Sequence, residues 1–176
     1  MQRIDSLPCD MKGLRLGAIL SLLLYQGLRQ IEIVRLTVED IDLSRQVAFV
    51  LGKGRDDLEA IDLHPKTVEA LRKYMDVCRV RSGALFFNLS NNGRNNRLTT
   101  KSIRDMVTSF LKESGIRNTT HGFRHFFTTK LIEHFSNDLL TVAKFTRHRS
   151  IETPQVYNDN LSKKGNLPKY YQAFAS

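Results

Sequence analysis

Residues 14–28 read LRLGAILSLLLYQGL and contain the longest uncharged stretch of this 176-residue chain. The stretch is apolar almost all round, so it predicts a helix buried at the centre of the fold. Its uncharged part, residues 16–28, is too short for a membrane-spanning helix, which needs about 20 apolar residues. The rest of the fold is expected to pack around this helix.

The residues that follow predict a short helix and then a β-hairpin. Residues 30–36 have helical spacing, whereas residues 46–51 and 58–63 have strand patterns. The Gly- and Asp-rich stretch between the two strands, residues 52–57, predicts the hairpin loop. Pro65 then suits the first turn of another helix, in which apolar residues recur at helical spacing.

The second half of the sequence predicts further helices. Amphipathic patterns occur over residues 103–111 and 123–131, and Gly115 is the natural stop of the first of these helices. A short helix is expected over residues 138–145. Thr153, which is followed by a proline, suits the start of a last helix.

Length and composition favour one soluble domain over residues 1–176. It is expected to be α+β and mainly α-helical, with a small antiparallel β-sheet. The net charge of +9 favours a polyanionic partner such as nucleic acid, although it also fits a well-solvated basic surface. Cys9 and Cys78 lack CxxC spacing and are expected to be reduced thiols in a cytosol. No signal-peptide pattern follows Met1, so we expect a cytoplasmic protein that does not associate with a membrane.

Taken one at a time, the candidate functional residues have ordinary explanations. Arg29, after a glycine at a helix end, is typically a solvated cap, and Lys53 is typically a lysine at a hairpin tip. His121 and His125 have the i,i+4 spacing of a zinc helix. However, Gly122 stands where such a helix carries its general-base glutamate, so zinc-protease chemistry is not favoured.

The order of these residues is far more specific than any one of them. In chain order the boxes are Gly-Leu-Arg-x-x-Glu with Arg29 and Glu32, Gly-Lys-Gly with Lys53, His-x-x-Arg-His with His121 and Arg124, and His148 nine residues before Tyr157. With these boxes the chain resembles the tyrosine recombinases, which include phage and conjugative-element integrases and Xer-type resolvases. The resemblance runs from about residue 18 to residue 157. Residues 148–157 are similar to the family's His-x-Ser-x-x-Thr-x-x-x-Tyr box.

The resemblance implies that DNA is cut and rejoined through a phosphotyrosyl bond at Tyr157. A covalent 3′-phosphotyrosine retains the phosphodiester energy, so rejoining needs no external energy source. Arg29 and Arg124 are implied to clamp the non-bridging oxygens of the phosphorane, because guanidinium groups present fork-shaped donors that stay charged. The cluster supplies positive charge, so neither a cofactor nor a metal is implied.

The other residues of the boxes have implied supporting roles. Lys53 is expected to protonate the leaving 5′-oxygen, His121 to assist as acid or base, and His148 to donate to a phosphate oxygen. Glu32 is interpreted as a structural residue that holds an active-site arginine or histidine. Thr153 is interpreted as the cap of the helix that carries the tyrosine.

Two positions depart from the family pattern. Thr146 and Arg147 stand where the family usually has Leu-Gly, which puts the local turn in question and makes Arg147 a candidate for a further phosphate contact. The region of Ser136 and Asn137 replaces a glycine between two helices. Asparagine tolerates the left-handed conformation, so this turn is expected to form.

The resemblance also implies partners. We expect double-stranded DNA, a homotetramer on paired DNA sites assembled from free monomers, and accessory DNA-bending proteins. An N-terminal core-binding domain normally precedes the catalytic domain in this family and is not within these 176 residues. In residues 158–176, Leu167, Tyr170, Tyr171 and Phe174 share helical spacing and form an apolar patch that is expected to be covered. The resemblance implies that this tail packs in cis or swaps in trans.

Two alternative functions stay open at this point. One is a nicking-closing enzyme similar to type IB topoisomerases, which relaxes supercoils without a partner site. The other is a non-catalytic, DNA-binding relic of an integrase. Recombination between two specific sites distinguishes the first alternative, and covalent trapping on DNA distinguishes the second.

Overall fold

The computed structural model describes residues 6–52, 58–89, 96–136 and 138–147. Within them the chain forms six α-helices, one 3₁₀-helix and one three-stranded sheet. In chain order these are α1 (Met11–Tyr25), α2 (Gln30–Arg35), the 3₁₀-helix (Val38–Asp40), β1 (Ile41–Asp42), β2 (Val47–Leu51), β3 (Leu58–Asp62), α3 (Pro65–Val77), α4 (Thr100–Glu113), α5 (Thr120–His134) and α6 (Leu139–Thr146). The predicted α+β fold, mainly helical with a small antiparallel sheet, is confirmed.

The chain divides into two compact units, residues 1–124 and residues 125–176. The first unit contains α1 to α4 and the sheet. Helix α5 begins in the first unit and continues in the second, which also contains α6.

The predicted central helix is α1, displaced by three residues from residues 14–28. It starts earlier because the carboxylate of Asp10 accepts a hydrogen bond from a backbone N–H of the first turn at 2.7 Å. It ends at Tyr25, before a turn in which Gly27 has a φ of 58°, a conformation that favours glycine. Residues 18–23 are all buried, which confirms the buried central helix. No helix among the described residues is long and apolar enough to span a membrane.

The predicted hairpin forms within one residue of its expected ends. The sheet has the order β1-β2-β3, and β2 pairs antiparallel with β3 from Val47 opposite Asp62 to Leu51 opposite Leu58. Burial alternates at the centre of β2, which is typical of a sheet with one face on the core. Residues 53–57 of the hairpin loop lie outside the described part of the chain.

The caps of α3 and α4 follow the predicted signals. Pro65 occupies the first turn of α3, where the missing N–H costs nothing. Gly115 has a φ of 68° just beyond the end of α4 and stops that helix. The apolar face of α4 enters the core through Ile103, Val107 and Leu111.

Two polar side chains fix an irregular segment, residues 84–89, against the helices of the first unit. The guanidinium Nη1 of Arg15 on α1 donates to the carbonyl of Phe87 at 2.8 Å. The hydroxyl of Tyr74 on α3 donates to the carbonyl of Leu85 at 2.9 Å. Burial raises the pKa of the Tyr74 phenol, which keeps its hydroxyl a hydrogen-bond donor.

The second unit forms two turns without glycine. Ser136 has a φ of 49° and Arg147, which ends α6, has a φ of 54°. The turn questioned from the sequence at Arg147 therefore does form. Around these turns Ile132 and Val142 are fully buried, and Asp138 caps the start of α6 with its carboxylate.

The substitution Tyr74→Phe tests the hydrogen bond between α3 and the irregular segment. It removes only the hydroxyl and leaves the Leu85 carbonyl buried without that donor, so the free energy of unfolding should fall by about 1–3 kcal/mol. Urea denaturation followed by circular dichroism measures the change. The control Tyr25→Phe removes a hydroxyl outside this bond, from a half-buried ring stacked on His64, and should have a much smaller effect. Equal losses for the two variants would contradict the assigned role.

Candidate active site

The start of α2 is built around a buried carboxylate. Arg29 is the N-cap of α2, and its backbone N–H donates to Oε2 of Glu32 at 2.7 Å. Its guanidinium Nη1 donates to Oε1 of the same residue at 3.0 Å. The Glu32 side chain is 1% exposed and that of Arg29 is 37% exposed. The carboxylate therefore caps the helix and also orients a guanidinium that still reaches solvent.

A second arginine fixes the turn before α2. Arg124 lies on the first turns of α5 and is only 4% exposed. Its Nη1 donates to the carbonyl of Gly27 at 2.7 Å, across 97 residues of sequence. This contact holds the left-handed turn that leads to Arg29, so the two arginines belong to one connected structure.

The first turn of α5 presents His121. Thr119 precedes the helix, and both its carbonyl and its hydroxyl accept from the backbone N–H of Gly122, at 3.0 and 3.3 Å. A side chain at residue 122 would collide with Asn118, whose Oδ1 accepts from the Thr119 N–H at 2.8 Å. This capped start leaves the His121 side chain exposed.

These side chains line a pocket of about 690 Å³ in the first unit. Its lining consists of cationic, hydroxyl, amide and apolar side chains: Leu28, Arg29, Gln30, Ile31, Arg35, Thr100, Arg104, Thr108, Thr119, Thr120, His121 and Arg124. Four of these described residues are arginines and none is acidic. Such a lining attracts an anion, and guanidinium forks fit the oxygens of a phosphate group.

The predicted site residues fall into two groups. Within the described residues, Arg29, His121 and Arg124 line the same pocket. The buried Glu32 accepts a hydrogen bond from the Arg29 guanidinium and so orients it. The remaining predicted residues lie outside the described part of the chain: Lys53, His148, Thr153 and Tyr157. The tail over residues 158–176 also lies outside it.

Other pocket residues were not singled out from the sequence. Thr100, Arg104 and Thr108 are spaced i, i+4 and i+8, so they share one face of α4 that flanks its apolar stripe. Arg35 and Gln30 come from α2. The polar face of α4 could have been found from this spacing, because its apolar positions were already assigned to the core.

Across the described residues, no group of three or more His, Cys, Asp or Glu side chains is close enough to hold a metal ion. Both cysteines, Cys9 and Cys78, are free thiols.

The sequence profile of the phage integrase family matches residues 1–164. The chain belongs to this family. Among curated relatives, it is 32% identical over 154 residues to the tyrosine recombinase XerD of Listeria innocua, an alignment that covers 82% of this chain and 50% of the relative. The chain spans about half the length of the curated relatives that it matches.

Solved structures agree with this assignment. The XerA recombinase superposes with a TM-score of 0.73 at 26% identity, covering 96% of this chain and 60% of the other. The XerH site-specific recombinase, whose structure was solved bound to its difH substrate in a pre-cleavage complex, gives a TM-score of 0.74 at 23% identity, covering 89% of this chain and 46% of the other. At that lower identity, XerH shows a shared fold. The fold of this chain is that of the tyrosine recombinase catalytic domain.

The substitution Glu32→Gln tests the buried carboxylate. An amide retains the shape of the side chain, but one of its two oxygens is replaced by an NH₂ donor. One of the two hydrogen bonds from Arg29 is then lost, because two N–H donors face each other there. We expect the free energy of unfolding to fall by about 2 kcal/mol in urea denaturation. The control Glu69→Gln makes the same change in an exposed pair, where Lys73 lies 2.6 Å away, and should change it by less than about 1 kcal/mol. If the two variants unfold alike, Glu32 is not the support of α2.

Proposed function

We propose that the chain cuts and rejoins DNA strands in site-specific recombination. The pocket that brings together Arg29, His121 and Arg124 is the observation that carries this proposal. Family membership supports it, because the curated relatives are tyrosine recombinases. The structure of XerH with difH DNA supports double-stranded DNA as the partner.

The proposed chemistry is a pair of transesterifications. The phenolic oxygen of Tyr157 attacks the scissile phosphorus and its proton passes to His121, so that a P–O bond forms while the bond to the 5′-oxygen breaks. Lys53 delivers a proton to that leaving oxygen. The 5′-hydroxyl of another strand then attacks the phosphotyrosine, releases the phenol and reseals the DNA. The phosphate ester is exchanged and never hydrolysed, so the strands are rejoined without a nucleotide cofactor.

The proposed role of the pocket is to stabilise the charge of the phosphorane. Arg29 has one nitrogen on Glu32 and a side chain that is 37% exposed, so further donors of its fork can meet a phosphate. Arg124 is anchored on Gly27 and lines the pocket with its remaining surface. Donors fixed before the substrate arrives need no reorganisation in the transition state. His121 is exposed beside them and is proposed to move a proton or donate to phosphate oxygen.

The proposed assembly rests on the family resemblance. A homotetramer on paired sites, with tail exchange through residues 158–176 and help from accessory DNA-bending proteins, follows from the family resemblance. In the second unit Phe126, Leu140 and Phe145 are 41%, 64% and 49% exposed. Single exposed apolar side chains are common on monomers, so the assembly proposal rests on the family resemblance alone.

The substitution Tyr157→Phe tests the nucleophile. The chain is incubated with duplexes of randomised sequence that carry a nick, so that the short 5′-hydroxyl fragment diffuses away after cleavage and traps the covalent adduct. The unmodified chain should give a DNA adduct that survives detergent and disappears with protease. The Phe variant should bind the same DNA and give no adduct, because only the phenolic oxygen is missing.

Sequencing the trapped DNA also identifies the target. An adduct that persists in the Phe variant would exclude Tyr157, and Tyr170 and Tyr171 would be the next tyrosines to test. Complete absence of an adduct from the unmodified chain would favour a non-catalytic DNA-binding role. Relaxation of supercoiled DNA without recombination between two trapped sites would favour the topoisomerase-like alternative.

The substitutions Arg29→Lys and Arg124→Lys test the clamp. Each keeps the charge but loses the planar fork of donors that fits two phosphate oxygens at once. We expect adduct formation to slow by a factor on the order of 100 or more, with a much smaller loss of DNA affinity. The matched control Arg72→Lys lies exposed on α3, outside the pocket, and should leave the rate unchanged. Near-normal cleavage by the clamp variants would show that charge alone suffices.

A further inference from the structure

A side-chain hydrogen bond joins α2 and α5, whose first turns position Arg29 and His121 at the pocket. The amide Nε2 of Gln30 donates to the hydroxyl of Thr120, across 90 residues of sequence. Gln30 is the first residue of α2 and directly follows Arg29. Thr120 is the first residue of α5 and directly precedes His121. The bond therefore lies between the attachment points of two side chains that face one pocket.

This bond complements the anchor made by Arg124. The Arg124 guanidinium reaches back to Gly27, on the turn that leads into α2. That contact fixes the approach of the chain to Arg29 but acts one helical turn away from His121. The Gln30 amide acts at the residue beside His121 itself. The two hydrogen bonds, at Thr120 and at Arg124, lie about one turn apart on α5. Together they fix both the distance of α5 from α2 and its rotation about its own axis.

The surroundings of the bond distinguish it from a core contact. Both residues are half-buried and line the pocket, and neither belongs to the hydrophobic core of the first unit. A neutral hydrogen bond at such a position contributes modestly to folding stability. Its geometric effect is larger, because a displacement of about 1 Å at a reacting centre can lower a rate by about 100-fold.

We propose that Gln30 and Thr120 are positioning residues, whose hydrogen bond sets His121 and Arg29 at the separation at which both meet the same scissile phosphate. The proposal rests on the proposed function and names the pair that aligns its site. The bond acts through its neighbours and does not itself touch the phosphate. The expected signature is a slower chemical step with unchanged DNA affinity.

The experiment is a double-mutant cycle on the rate of adduct formation with a trapped nicked duplex, at saturating protein. Gln30→Met keeps the length of the side chain without the amide, and Thr120→Val keeps the shape without the hydroxyl. Each should slow the rate about tenfold. The double variant should be no slower than either single variant, because all three remove the same bond.

Two further variants separate positioning from a general defect. Thr120→Ser retains the hydroxyl and should stay within about twofold of the unmodified rate. Ser109→Ala removes an exposed hydroxyl that donates to Glu113 on α4, outside the pocket, and should also stay within about twofold. Single variants with the unmodified rate, additive losses in the double variant, or a Thr120→Ser rate as low as that of Thr120→Val would each overturn the proposal.

Amide hydrogen exchange in the absence of DNA tests the hydrogen bond between Gln30 and Thr120 independently of catalysis. Thr120→Val should speed exchange over residues 29–35, and Gln30→Met over residues 121–128, whereas Ser109→Ala should change neither. Unchanged exchange in both segments would overturn the bond itself. If the unmodified chain formed no adduct while exchange changed as expected, the proposed function would fail but the coupling between α2 and α5 would stand, so the two failures are distinguishable.

Discussion

Both oxygens of the buried Glu32 carboxylate accept hydrogen bonds from Arg29, one from its backbone and one from its guanidinium. A carboxylate that is 1% exposed has lost its hydration, and only donors and an opposite charge compensate for that loss. Arg29 provides both. The same pair begins α2, orients one guanidinium of the pocket and offsets part of the repulsion among the four arginines that line it. A phosphate that enters the pocket meets donors whose direction is already fixed.

Helix α2 depends on this kind of support because it has only six residues. Isolated helices shorter than about 12–15 residues are marginal in water, so α2 must be held from outside. At its C-terminal end the guanidinium of Arg97 donates to the carbonyls of Val34 and Leu36, the latter at 2.8 Å, which satisfies groups that the helix leaves unpaired. At the other end Arg124 holds the carbonyl of Gly27. Arginines distant in sequence thus fix both ends of the helix that carries the proposed clamp.

Local signals predicted most of the fold, and the reason is physical. A proline at Pro65 and a glycine at Gly115 act within one turn, and residues 14–28 are apolar enough to specify burial without knowledge of any partner. The boundaries of α1 shifted because a capping carboxylate, Asp10, competes with hydrophobic spacing as a helix start. The order of boxes predicted that Arg29 and Arg124 belong to one site, and both line the pocket.

What the sequence could not predict is how the site is held. The bonds from Arg124 to Gly27 and from Gln30 to Thr120 span 97 and 90 residues, and no local pattern encodes such a pairing. Residues that read as ordinary helix surface, such as Gln30, acquire a role only when a second helix packs beside them. The spacing of a motif gives the identity of the reacting groups, whereas their separation depends on contacts between neighbours that belong to no motif.

At the turn after α6 the sequence predicted too little structure. The sequence raised doubt there because Arg147 replaces a glycine, and a left-handed residue with a Cβ costs roughly 1–2 kcal/mol. The backbone nevertheless adopts φ 54° and ψ 41° at Arg147. The Arg147 side chain is only 8% exposed, and strained backbone of this kind persists where the surrounding structure holds it. A local pattern gives the cost of such a turn, whereas the packing that holds the turn comes from the rest of the fold.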